Sequence, residues 1–313
     1  MIGLSYFIIN LMDKNEKKLE INGLLLFDKP LGFSSNQALS KIKWIFSAKK
    51  AGHTGTLDPL ATGLLPICFG EATKFSSHLL NSEKTYEASI KLGWKSSTGD
   101  AEGKLTKSKT NSFTLENLQD VLDSFIGISY QTPPMFSALK HKGKPLYKFA
   151  REGVKVKIQE RKINVSKLIL LKKEKNMIKI EVTCSKGTYI RTLGENIAEK
   201  LGTNGYLIDL RRTKIGDLSV QNAFALDKIE NLTPTEKKAC LRPTETLVKR
   251  YPEIILSDTQ VKHIKNGQSV KLLSKIDAQI YALFTESKVF LGIGQIDNDY
   301  SLKAVRLIST NIN

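Results

Sequence analysis

Residues 51–66 read AGHTGTLDPLATGLLP. Three glycines, three threonines and one histidine surround a single acid, Asp58, and Pro59 follows it directly. Proline disfavours the helical region for the residue before it, so Asp58 is held extended. Gly52, Gly55 and Gly63 allow tight turns and close approach to the backbone. The stretch therefore reads as a stiff, closely folded loop that presents one carboxylate. Such a group can serve as nucleophile, base or metal ligand. The commoner reading of an isolated Asp-Pro is a turn aspartate bonded to its own backbone.

Other loop chemistries lack their parts. No Gly-Lys-Ser/Thr follows, so this is not a phosphate-cradling P-loop. No second acid stands at a fixed spacing for a paired-carboxylate hydrolase. No G-x-S-x-G elbow opens a serine triad. The three cysteines, Cys68, Cys184 and Cys240, lie far apart and form no C-x-x-C pair, so they offer no zinc ligand set. That sparse, odd count suits a reducing cytoplasm.

The chain around the loop is 313 residues long, 41% hydrophobic, and carries a formal charge of +17. The composition is globular, and the charge calls for a polyanionic partner. No apolar run reaches the roughly 20 residues of a membrane span, and the basic amphipathic helix of a membrane-surface protein is missing.

Upstream, INGLLLFDKPLGFSS (21–35) predicts a buried strand over Leu24–Phe27, a Pro-Gly turn, and a helix capped by Ser34 or Ser35. Downstream, KTYEASIKLGW (84–94) alternates as a strand with Tyr86, Ala88, Ile90 and Leu92 on one side. Residues 95–113 read as a polar linker. Thr114 is expected to cap a helix stopped by Gly127, and Thr192 to start one ending at Gly202. VSKLILLKKEKNMIKIEVTCS (165–185) is a hairpin. From Lys140 to Lys162 there are nine Lys/Arg against two Glu, in a segment too rich in turn formers for one regular element. After about residue 230 prolines mark a linker, and a small all-β terminal unit follows. Arg191, after a strand and at the mouth of a helix, is the candidate partner for Asp58; a buried pair is expected to lower the carboxyl pKa.

The blocks LLFDKPLGFSSN, AGHTGTLDPLATGLLPICFGEATK, KTYEASIKLG, PPMFSALKHKGKPLY and CSKGTYIRTLGENI…LRRTKIG, in that order, resemble the TruB family of bacterial tRNA pseudouridine synthases. The resemblance runs from about residue 21 to the end. It implies an α+β fold: a mixed, mainly antiparallel sheet core with flanking helices, plus a small PUA-like β-barrel that binds RNA. The corresponding division is 1–20 as an N-terminal extension, with Met12 a candidate start; 21–250 as catalytic domain, with a thumb-like basic insertion at about 127–162; and 251–313 as the PUA-like domain. It implies isomerisation of uridine 55 in the T loop of tRNA, without metal or other cofactor, by a cytoplasmic monomer with no protein partner and no membrane.

The resemblance also assigns residues. Asp58 matches the nucleophile, Arg191 its partner, and Tyr86 the tyrosine that stacks on the target base. Tyr189 and Leu210 match the uracil pocket, and His53 the histidine that enters the RNA when the nucleotide flips out. Lys29, beside Pro30, matches a residue supporting the catalytic loop and is grouped with Lys74, Lys140, Lys142 and Lys144 as RNA-facing. Without the resemblance, Tyr86 and Leu210 read as core, and the basic segment as a solvated loop. The rival function is a non-catalytic RNA-binding protein or tRNA-folding chaperone; Asp58 with Tyr86 and Arg191 argues against it.

Overall fold

The computed structural model describes residues 18–108, 113–272 and 279–309. Expectations for residues 1–17, including Met12 as a start, lie outside the described residues. Leu19 and Glu20, assigned to the extension, belong to the fold: Leu19 exchanges backbone bonds with Ser47 and Lys49, and Glu20 pairs with Lys49 at 2.7 Å.

A ten-stranded mixed sheet forms the larger part. Its strands are β1 (Gly23–Lys29), β2 (Ala51–His53), β3 (Ala61–Phe69), β4 (Lys84–Leu92), β7 (Gly127–Gln131), β10 (Arg161–Glu174), β11 (Met177–Cys184), β12 (Gly205–Ile215), β13 (Leu218–Ser219) and β14 (Phe224–Ala225). The order is β14-β1-β3-β12-β4-β11-β10-β7, with β2 on β3 and β13 on β12. Most pairs are antiparallel; β1–β14 and β3–β12 are parallel. The helices α1 (Ser35–Ile45), α2 (Leu118–Asp123) and α4 (Ile190–Lys200) flank it, with α3 (Leu146–Arg151) in the basic insertion.

The alternation in β4 and β11 buries Ala88, Ile90, Ile178, Ile180 and Val182 in one core with Ile42, Leu122 and Ile197 of the helices. β1 and β3 differ: they are buried on both faces. Leu25, Phe27, Leu65 and Ile67 join that core, while Leu24, Leu26, Leu64 and Cys68 join a second one. A strand covered twice reads as a continuous apolar run. Hence β3 escapes the sequence reading, in which Gly63 and Pro66 look like loop formers. Pro66 is tolerated because β12 pairs only with 61–63 and β2 only with 67–69. It sits in the gap between those neighbours and costs no ladder bond on that side.

The second core joins the sheet to the terminal unit. There β15 (Glu253–Leu256), β16 (Val270–Lys271), β17 (Ile280–Thr285), β18 (Phe290–Ile296) and β19 (Ser301–Leu307) form a five-stranded sheet in the order β15-β17-β18-β19-β16. Ala282, Phe284, Phe290 and Ile293 pack on Leu24, Leu26, Leu64 and Phe75. The unit is not all-β: α5 (Asp258–Lys265), capped by Ser257 with Gln260, packs Val261 and Ile264 into its core.

Two helix starts differ from expectation. α2 begins at Leu118, and the Thr114 hydroxyl accepts from Glu116 N without capping it. α4 begins at Ile190, not Thr192, so Arg191 lies in its first turn. Residues 95–108 are not a linker. They hold a hairpin, β5 (Trp94–Ser96) with β6 (Leu105–Lys107), whose connection buries Asp100. Among the described residues no helix is long and apolar enough to cross a membrane.

Candidate active site

The Asp58 loop connects β2 to β3, and almost every residue in it is pinned. The Ser35 hydroxyl, at the start of α1, donates to Leu57 O at 2.9 Å and accepts from Leu57 N at 2.7 Å. Ser34, not Ser35, caps the helix, with Gln37 closing the capping box; that frees Ser35 for the loop. Arg212 Nη2 donates to Gly55 O at 2.8 Å, Ala61 N to Asp58 O at 3.0 Å, and Gly32 N to Pro59 O at 2.9 Å.

Asp58 opens onto a cleft of about 690 Å³. Tyr86, Tyr189, Arg191 and Leu210 line the same cleft. Arg191 Nη2 stands 2.9 Å from Asp58 Oδ2. The guanidinium is buried and multiply held: Nη1 donates to Thr98 O at 3.0 Å, Nη2 to Phe136 O at 2.8 Å, and Asp100 Oδ2 lies 3.4 Å from Nη1. Tyr189 is clamped through its backbone by the Gln131 amide, which donates to Tyr189 O at 3.1 Å and accepts from Tyr189 N at 2.8 Å.

The charge balance of the cleft is one-sided. Among the described residues Asp58 is the single acid lining it, against Lys84, Arg161, Lys162, Lys186, Arg191 and Arg212. The expected lowering of the Asp58 pKa is reversed. Burial raises it above the ordinary value, the pull of Arg191 opposes this, and the negative Asp100 adds to the rise. Burial also raises the Tyr86 and Tyr189 phenols; Arg212 opposes it at the first and Ser137 at the second. Burial pushes the Lys84 ammonium down to about 8, although it donates to Leu80 O and Ser82 O at 2.6 Å.

The remaining expected site residues lie elsewhere. His53 ends β2 outside the cleft lining; its Nδ1 is buried with no hydrogen-bond partner among the described residues, and burial lowers its pKa. Lys29 is fully buried, so it cannot meet a phosphate. Its ammonium donates to Pro30 O and Phe33 O and is pushed down to about 8 by burial, against the attraction of Asp58. It supports the turn beside the loop. Lys74 is not at the edge of the cleft. It pairs with Glu71 at 2.8 Å and reaches Ser309 Oγ at 3.0 Å, tying the main sheet's flank to the terminal unit. Lys140 and Lys142 are exposed on a short hairpin, β8 (Lys140–His141) with β9 (Lys144–Pro145), while Lys144 is held by Glu152 at 2.6 Å.

Sequence reasoning missed Asp100, Gln131, Lys84 and Arg212. Lys84 shares the inward parity of Tyr86, Ala88 and Ile90, and Arg212 shares that of Leu210. A cation on a buried parity was the available signal. Asp100 carried none, because its segment reads as polar throughout. Among the described residues no cluster of His, Cys, Asp and Glu has the arrangement to hold a metal ion.

With this geometry in hand, three family descriptions match the chain: "TruB family pseudouridylate synthase (N terminal domain)" over residues 43–190, "tRNA pseudouridylate synthase B C-terminal domain" over 191–249, and "Pseudouridine synthase II TruB, C-terminal" over 252–308. A protein of Nitrosospira multiformis named tRNA pseudouridine synthase B is 44% identical over 302 residues, covering 93% of this chain and 96% of its own. One of the same name from Neisseria meningitidis is 43% identical, covering 96% and 98%. Among solved structures, a chain of an H/ACA RNP bound to a substrate RNA containing 2′-deoxyuridine superposes with a TM-score of 0.70 at 20% identity, over 95% of this chain and 93% of that one. A chain of the archaeal box H/ACA sRNP Nop10-Cbf5 complex gives 0.69 at 22%, over 95% and 88%. At such identities the structures speak for the fold alone.

Proposed function

The chain belongs to the TruB family and is a pseudouridine synthase of tRNA; from that premise we propose that its target is uridine 55 in the T loop and that Asp58 is the catalytic nucleophile. The observation that carries the reading is the buried Arg191 guanidinium 2.9 Å from the one carboxylate that the described residues place in a cationic cleft.

The chemistry follows from that placement. Uracil must leave C1′, turn, and rejoin through C5. Breaking the N-glycosidic bond builds positive character on the sugar, and a fixed carboxylate beside it stabilises that charge. Arg191 keeps Asp58 oriented and favours its ionised form. Tyr86 stacks on the base while Tyr189 and Leu210 wall the uracil pocket. A base cannot reach a recessed carboxylate from within a stack, so the nucleotide flips out. His53 then fills the gap left in the RNA. The exposed Arg161, Lys162 and Lys186 of the cleft, with the exposed Lys140 and Lys142, meet phosphates of the T stem-loop, and the terminal unit adds RNA contacts to a monomer.

The test is direct: incubate the protein with an unmodified T-arm stem-loop and quantify pseudouridine. Conversion at the T-loop uridine is expected. RNA binding with no conversion would leave the folding-chaperone reading in its place.

A further inference from the structure

Arg212 is among the largest fully buried side chains, at 1% exposure. It donates in two directions: Nε to Leu64 O and Nη2 to Gly55 O, each at 2.8 Å, and the Tyr86 phenol is its electrostatic neighbour. Tyr86 and Arg212 are directly opposed across β4 and β12, and both line the cleft. No carboxylate pairs with this guanidinium among the described residues. A buried cation without a counter-ion is costly, and a plain packing role would be met by an apolar side chain.

The Asp58 loop is shaped around the same arginine. A Cβ on Gly55, whose φ is +71°, would stand 3.3 Å from Arg212 Nη1. A Cβ on Gly63, at φ +99°, would collide with the Arg212 backbone. Gly55 in the loop and Gly63 in β3 thus make room for one residue.

We propose that Arg212 is a positioning residue for the reaction, fixing the Asp58 loop and the Tyr86 phenol in one relation to each other. The proposal rests on Asp58 and Tyr86 acting as set out above. A guanidinium can only donate. Toward such a donor a phenol presents its oxygen, so its own proton turns away from the guanidinium. The Gly55 carbonyl, three residues before Asp58, is held by the same group, so loop and ring cannot move apart.

The experiment is a double-mutant cycle read by single-turnover kinetics on a T-arm stem-loop. Arg212→Gln and Arg212→Lys are made alone and with Tyr86→Phe. Each single Arg212 change is expected to lower the limiting rate about tenfold to a hundredfold, the scale of a misplaced catalytic group, with the half-saturating RNA concentration unchanged. In the Tyr86→Phe background the same change costs much less, because there is no phenol to orient. Independent, multiplying losses would overturn the proposal, as would a Lys variant at the wild-type rate. If Arg212→Gln does not fold, Arg212→Lys carries the cycle, since it keeps the buried charge and loses only the fork. A wild-type protein that converts no uridine would instead sink the functional reading itself.

Discussion

Arg191 gives Asp58 one edge of its guanidinium, at 2.9 Å, and commits its other contacts to groups fixed in the scaffold: the carbonyls of Thr98 and Phe136, and the buried Asp100 at 3.4 Å. The pair is unequal. Arg191 cannot leave, whereas Asp58 keeps 40% of its side-chain surface open to the cleft. An immobile cation behind a presented carboxylate is a preorganised electrostatic arrangement.

Replacing Asp58 with Asn removes the charge and keeps the shape. Turnover is expected to fall by about a thousandfold or more, the range seen when a nucleophile is removed, while RNA affinity holds, because deleting an anion near phosphates does not weaken binding. The melting temperature should not drop either: Asp100 still pairs with Arg191, and burial disfavours the charged Asp58. Conversion by the Asn variant above trace level would remove Asp58 from the nucleophile's role.

The pH profile has an acid limb whose position follows from the same contacts. As the proposed nucleophile, Asp58 has to be ionised, so the rate is expected to fall as pH drops through its pKa. Burial places that pKa above the ordinary 3.8, so the limb lies higher than for a solvated aspartate. Removing a neighbouring cation makes ionisation harder; Arg191→Gln should move the limb to higher pH. Removing a neighbouring anion makes it easier; Asp100→Asn should move it to lower pH. Rate profiles of the two variants, compared by midpoint rather than height, test the signs. Shifts in the same direction would contradict this account of the site.

Salt dependence should separate the lysines of the basic hairpin. Lys140 and Lys142 are exposed, whereas Lys144 is held by both oxygens of Glu152, at 2.6 and 2.7 Å, with its ammonium 4.9 Å from the Phe149 ring centre. Removing one lysine–phosphate interaction changes the slope of log K against log salt by about 0.7–0.9. Lys140→Ala and Lys142→Ala should each flatten it by that amount, and Lys144→Ala by less. Slopes unchanged from wild type in all three variants would mean the hairpin faces solvent.

How far each residue can be read from the sequence follows from how it is constrained. Asp58 is legible because Pro59 and three glycines mark the backbone around it. β4 and β11 are legible because one face of each is apolar and the other polar. β3 is not, since a strand covered on both faces loses its alternation. Asp100 is hidden in a polar segment that only folding brings against Arg191. Lys29 and Lys74 are misplaced for a related reason. A lysine's charge is evident in sequence, but whether it meets water, a carbonyl or a carboxylate is decided by tertiary contacts such as those to Phe33 and Glu71.

A terminal unit that follows a proline-marked linker reads as separable, adding affinity while chemistry stays with the large sheet. Its packing changes that expectation. All the cleft residues assigned to chemistry precede residue 252, so truncation from Pro252 should still raise the RNA concentration for half-maximal rate and leave the limiting rate of folded protein similar. But Ala282, Phe284, Phe290 and Ile293 cover Leu24, Leu26, Leu64 and Phe75, and the Phe75 and Phe290 rings meet at 5.5 Å. Leu24, Leu26 and Leu64 lie on β1 and β3, the paired strands beside the Asp58 loop. Fully burying one such side chain is worth about 1.5–3 kcal/mol, and a whole domain is stable by only about 5–15 kcal/mol. Stripping the cover from these four side chains should therefore lower the melting temperature markedly or cause aggregation. Phe290→Ala isolates this term without removing the RNA contacts proposed for the unit; a core Phe→Ala change costs about 3–5 kcal/mol. It is expected to lower thermal stability while leaving RNA affinity near wild type at a temperature where the protein is folded. A truncated protein that melts like the full chain would show that the second core contributes no stability. A truncated protein that is folded yet has no limiting rate would show that the terminal unit also shapes the Asp58 loop.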